Sequence, residues 1–234
     1  MDWTLHFLQA EGTLAPWRER LTDEARRTHD GLAALLAPDV TMPPIDVLIQ
    51  RLPGRVIPEL GLVGHSYRRG CFGVTLDPDN PAFATSLDTG QFGRTLAHEV
   101  HHCLRYASVG YGATLGEALV SEGLADQFDR EAHGGTGQLW DHALAPERWT
   151  DVLASMEPQL KAPRYDHIVW FFGREGETGP IPRWAGYTVG YHLVGAYLDA
   201  HPRARPSRMA GTPAADVLAD AWPRLKAAKG TPTA

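Results

Sequence analysis

The sequence predicts an α+β fold with strands first and helices afterwards, and three observations carry that prediction. Short β-rich runs broken by Gly and Pro precede Asp77, the turn-rich stretch Asp77-Pro78-Asp79-Asn80-Pro81 closes them, and helical apolar spacing takes over beyond it. The 43% hydrophobic and 21% charged shares are those of an ordinary globular chain, with neither disorder nor fibrous repetition. At 234 residues the chain is expected to form one compact domain, 1–234, with a helix-and-sheet lobe over 1–90 and a helical lobe over 91–234.

Taken in order, Trp17, Leu21, Leu32 and Leu35 lie close to helical spacing among charged residues, which predicts an amphipathic helix over Pro16–Leu36 backing a small sheet. Ile45–Gln50, Gly54–Pro58 and Gly70–Leu76 are the expected strands. Helices are expected over Phe92–Tyr106, Leu115–His133, Pro146–Leu160 and Arg183–Ala200. Thr114-Leu115-Gly116-Glu117 fits a capping box, so the second of these starts at Leu115, and His133-Gly134-Gly135 offers a glycine to close it. Pro182 fits a first-turn proline for the last helix, and the Gly/Pro-rich loop Gly173–Pro182 before it is long enough to overhang a cleft.

A net charge of -6 with scattered basic residues offers no stripe for a phosphate backbone, so nucleic acid is not an expected partner. The start Met1-Asp2-Trp3-Thr4-Leu5-His6 has neither the basic nor the apolar character of a secretory leader, and no later run reaches membrane-spanning length. The expectation is a cytoplasmic chain without a membrane partner. Cys71 and Cys103 fit no disulfide framework or metal knuckle and are expected as reduced, buried thiols.

The chemistry is carried by His98-Glu99-Val100-His101-His102, an HExxH motif in an apolar helical context. Residues four apart share a helix face, so His98 and His102 can both reach one tetrahedral Zn²⁺ while Glu99 lies beside it as general base. A catalytic zinc takes three protein donors and keeps a position open. Nineteen residues separate His102 from Glu122, enough for the chain to turn and launch an antiparallel helix bearing Glu122 as the third ligand. Glu117 competes for that role, but its capping-box position gives it another task. Asp126, one turn beyond Glu122, is placed to accept the second N–H of a ligand histidine, His98 by expectation, and so fix its tautomer. His101 is turned around the helix from the ligands and is expected either to pack or to support a ligand from behind.

HEVHH, the gap and Glu122-Gly-Leu-Ala-Asp126 resemble the zinc site of thermolysin-like gluzincins. More narrowly, TLAHEVHHCLRY with TLGEALVSEGLADQF is similar to a bacterial family of predicted zinc-dependent proteases classed as a domain of unknown function. The resemblance covers about Phe92–Phe128, with weaker support from Gly186–Tyr191, and implies a zincin-like fold and proteolysis of a peptide or protein substrate. Arg105 and Ser108 stand where a metzincin would carry Gly and His, and the GAMEN signature of the large gluzincin aminopeptidases is missing. In zincins an edge strand just before the metal helix pairs with extended substrate, a part that Cys71–Leu76 suits if its edge is free.

An oxyanion donor is also needed. Gly186-Tyr-Thr-Val-Gly-Tyr191 puts Tyr187 and Tyr191 on one helix face, with Gly186 and Gly190 small enough for close packing, and is similar to the GYxxGY-like segment of thimet-type oligopeptidases. That resemblance points to Tyr187 first, then Tyr191, with His192 third. The expected activity is peptide hydrolysis with one catalytic Zn²⁺. A zinc-binding regulatory or scaffold module without turnover, and a zinc hydrolase of non-peptide amides, are the other readings the sequence leaves open.

Overall fold

The computed structural model describes residues 2–37, 40–173 and 181–229. Its strands are β1 (Trp3–Leu8), β2 (Ile45–Arg51), β3 (Leu62–Arg68) and β4 (Cys71–Leu76); its α-helices are α1 (Arg18–Leu35), α2 (Phe83–Asp88), α3 (Gln91–Tyr106), α4 (Leu115–His133), α5 (Trp149–Met156), α6 (Ala185–Ala200) and α7 (Ala214–Lys229). The architecture is α+β, and two compact units emerge, Met1–Ala107 and Ser108–Ala234. The sequence expectation put the change of character at 90/91, one helix earlier.

In the first unit the sheet runs β1-β2-β4-β3, parallel except for the antiparallel β3–β4 pair. The central position of β4 explains its near-continuous apolar run, because an interior strand covered on both faces has no polar side to alternate with. It also corrects one expectation: Cys71–Leu76 is flanked by β2 and β3 and has no free edge, and the end strand on that side is β3. Gly54–Pro58, expected as a strand, is a turn whose only ladder contact is a bridge from Ile57 to Leu62. Its Gly and Pro bracket too few residues to extend.

α1 backs the sheet as expected. Trp3 on β1 packs edge-on against His29 of α1 at 5.1 Å and against Phe72 of β4 at 6.5 Å. α1 then sets the start of α3: the Glu24 carboxylate accepts the Gly93 amide at 2.8 Å, a negative group at a helix N-terminus. A Cβ on Gly93 would come within 2.7 Å of Thr28 Oγ1, so glycine there lets the two helices approach. Cys71 and Cys103 are buried free thiols.

In the second unit α4 begins with the predicted capping box, Thr114 Oγ1 accepting the Glu117 amide at 3.3 Å and Glu117 Oε2 accepting the Thr114 amide at 2.9 Å. It ends at Gly134, whose φ of +72° is a conformation glycine adopts freely. α4 crosses α6 with backbone against backbone. A Cβ on Gly123 would lie 2.1 Å from the Gly190 carbonyl oxygen, and one on Gly190 would lie 2.5 Å from that of Leu119. Leu119, Leu124, Val189, Leu193, Val217 and Leu225 build the core around this crossing. Pro182 is not a first-turn proline. α6 starts three residues later behind Trp184, which takes φ +65°, and the Pro182 carbonyl accepts the Ala185 amide. Most of the loop expected over Gly173–Pro182 lies outside the described residues. Among the described residues no helix is long and apolar enough to cross a membrane.

Candidate metal centre and catalytic residues

Helical geometry does at α3 what the motif spacing predicts. His98 and His102, one turn apart, bring their Nε2 atoms to 3.0 Å with the rings at 82°. Two imidazole nitrogens bound to one tetrahedral zinc at about 2.05 Å would stand ~3.3 Å apart, so the pair needs only a few tenths of an ångström of adjustment to hold the ion. His101 is fully buried.

Glu99 is 5% exposed and rests on the end strand. Its Oε2 accepts the Ser66 hydroxyl at 2.7 Å, and the same hydroxyl lies 3.0 Å from the Glu99 carbonyl oxygen. Two residues earlier on β3, Gly64 leaves the space that the carboxylate fills: a Cβ there would stand 2.3 Å from Glu99 Oε1 and 2.7 Å from Cγ. Alternation along a strand places Gly64 and Ser66 on one face, so a single strand supplies both the room and the hydrogen bond. Burial, reinforced by the Glu99 charge, pushes the Cys103 thiol up to about 12, so it stays a neutral packing group. Tyr67 is raised as well, by burial first and then by Cys71 and Glu99.

In the second unit Glu122 lies on α4, 5% exposed, and its Oε1 accepts the Tyr111 hydroxyl at 2.5 Å. The Tyr111 phenol is held well above its usual range by burial, then by the Glu122 charge, with Tyr165 and Tyr187 adding to it. It is therefore a neutral donor at any physiological pH. Asp126 is fully buried and accepts the Trp140 indole N–H at 3.1 and 3.2 Å on its two oxygens. Glu117 binds the Ala113 and Thr114 amides, the task its cap position predicts.

The late-helix candidates separate. The Tyr187 ring packs among Trp140, Phe171 and Phe172, and its phenol is among the groups that raise Tyr111. The Tyr191 hydroxyl is 3.4 Å from the Thr136 carbonyl, and its titration is raised by burial first, with Arg130, Asp141 and Asp126 as its charged neighbours. His192 packs between His142 and Trp149, and burial, then Lys229, depresses it to about 4.

Sequence reading missed Gly64, Ser66, Tyr111 and Trp140. The first two meet Glu99 from a strand whose Ser66 lies 33 positions earlier in the chain, a separation that no local pattern encodes. Tyr111 did carry a local signal, since glycines flank it on both sides.

Among the described residues, one group of three ionisable side chains is arranged to hold a metal ion: His98, His102 and Glu122, all buried, with ligand atoms within 4.8 Å of one another. Two neutral imidazoles and a carboxylate are a donor set zinc takes in hydrolases, so the residues present fit the ion.

Comparison with known proteins agrees with that chemistry. A stretch of 161 residues, 64% of the chain, is 25% identical to "Uncharacterized protein YjfC" of Bacillus subtilis (strain 168) and spans 52% of that protein, so the match covers about half of the relative's length. No solved structure matches the chain. The family described as "Predicted Zn-dependent protease (DUF2268)" matches residues 39–219, a span that includes the HExxH helix, Tyr111 and Glu122. The chain belongs to this family of predicted zinc-dependent proteases.

Proposed function

We propose that the chain is a gluzincin-type peptidase with a zincin-like fold, acting on a peptide or protein in the cytoplasm with one zinc held by His98, His102 and Glu122. The observation that carries this reading is the α3 helix itself, where the two imidazole nitrogens stand 3.0 Å apart while the intervening Glu99 is seated on β3 by Ser66 and Gly64. A module that only bound zinc would need the histidines and the third ligand. It would not need a carboxylate at 99, nor a strand cleared to receive it.

When bound, zinc supplies Lewis acidity that strengthens a water as an acid and polarises the carbonyl under attack. The chain's own residues divide the remaining work. Glu99 takes a proton from the attacking water and returns it to the departing amine, and because Ser66 donates to Oε2, the oxygen over Gly64 is the one left for proton transfer. Tyr187 stabilises the oxyanion. Tyr191 and His192 stand behind it as candidates, the first with its hydroxyl turned to Thr136 and the second depressed to about 4 and hence neutral at pH 7. Asp126 fixes the tautomer of His98.

The test is metal content by elemental analysis on wild type and Glu99→Gln, paired with cleavage of a mixed peptide library by both. One zinc in each and cleavage by wild type alone is the expected result. Zinc in both with no cleavage would favour a regulatory module, or an amide hydrolase to be sought on non-peptide substrates. No zinc in either after reconstitution would remove the metal reading altogether.

A further inference from the structure

Tyr111 is a side chain that the sequence motifs pass over and that the structure places directly on a proposed metal ligand, Glu122. Its loop is held from α4 in several places. Ser121 Oγ donates to the Tyr111 carbonyl at 2.6 Å, and Glu117 Oε2 accepts the Ala113 and Thr114 amides at 2.8 and 2.9 Å. Glu117 and Ser121 are one helical turn apart, so a single face of α4 grips the loop. The glycines flanking Tyr111 make the grip possible: Gly110 and Gly112 take φ +83° and +110°, and a Cβ on Gly112 would lie 2.2 Å from Glu117 Cβ. Glu122 is the residue after Ser121. The helix that carries the carboxylate thus also anchors the hydroxyl that meets it, and both ends of the Tyr111–Glu122 bond are referred to the same backbone.

We infer that Tyr111 is a positioning residue for the metal, locking the rotation of the Glu122 carboxylate through its hydroxyl's hydrogen bond to Oε1. The inference rests on Glu122 being a ligand. The terminal torsion of a glutamate is broad, so an unrestrained carboxylate spends much of its time turned away from any one direction. A hydroxyl on Oε1 removes that freedom before the ion arrives. A lysine or arginine in its place would do so as well, but its positive charge would compete with the ion for the carboxylate. A phenol orders the ligand without that competition.

Zinc affinity, measured by competition with a chromophoric chelator, tests this without reference to turnover. Tyr111→Phe removes the oxygen alone and is expected to weaken zinc binding about 10- to 100-fold, the loss typical of a group that orients a ligand. Glu122→Ala is expected to weaken it further, and Leu225→Ala, which thins the buried core of the same unit, to leave it within a factor of about three. Wild-type affinity in Tyr111→Phe together with loss in Glu122→Ala would overturn the positioning role while Glu122 stood as a ligand. Wild-type affinity in Glu122→Ala would overturn the ligand reading and the positioning role with it. A loss in Leu225→Ala matching that of Tyr111→Phe would show general loosening and also overturn the role.

Discussion

At the scale of single residues, the placement of Glu99 depends on an atom that is missing. Gly64→Ala sets a methyl 2.3 Å from Glu99 Oε1, and the glutamate side chain can swing away from it more easily than the strand can move. The expected outcome is a fall in peptide hydrolysis of tenfold or more, with zinc stoichiometry retained and a stability loss of no more than about 1–2 kcal/mol by thermal melting. Full activity in Gly64→Ala would show that Glu99 works from another position. Ser66→Ala tests the hydrogen bond separately and should lower activity with the methyl space left open. Legibility at this scale is uneven for a physical reason. His98, Glu99 and His102 are tied by helical spacing that any reader of the sequence can count, whereas Gly64, Ser66 and Trp140 earn their places through contacts between distant parts of the chain.

At the scale of elements, marked ends sharpen legibility: α1 and α3, which carry no side-chain cap, are placed by their apolar spacing to within a residue or two. α4 was predicted to the residue because a capping box starts it and a glycine ends it. β1 and β3 were missed: β1 is half-exposed and short, and β3, LVGHSYR, carries a glycine and a histidine in place of the β-branched residues that announce a strand. α7 escaped because Pro223 lies inside it. Two predictions belong here. Glu117→Ala should lower stability by about 1 kcal/mol through its cap and leave one zinc bound, as thermal melting and elemental analysis would show. Gly123→Ala drives a methyl to 2.1 Å from the Gly190 carbonyl oxygen, a backbone atom that cannot rotate aside, and should destabilise by about 3 kcal/mol or more. A neutral melt in Gly123→Ala would mean that the two helices stand further apart.

At the scale of the molecule, metal and proton act on the same folding equilibrium. Zinc at a hundred times its Kd should stabilise the folded state by about 2.7 kcal/mol, raising Tm by roughly 5–10 °C, and a chelator should reverse the gain. His192 sets an acid limit. Its folded value of about 4 lies below its ordinary 6.5, so the folded state refuses a proton that the unfolded chain accepts. The stability this represents is whole above about 6.5 and is lost as pH falls towards about 4. Melting curves of His192→Leu without metal should lose less stability than wild type across that window; equal losses would assign the acid limit to other groups.

The irregular end of the sheet has a consequence for how the chain behaves in company. β3 has a single ladder partner, and its register shifts between Ser66 and Arg68, so that Tyr67 is an extra residue without an opposite number. A bulge of this kind bends and twists the outer rim, and Arg68 and Arg69 follow directly behind it. The straight part of that rim is too short, and its end too charged, to template the sheet of a second copy. Deleting Tyr67 would straighten it, and the first sign should be rising light scattering in concentrated solution, well before any change in the melt.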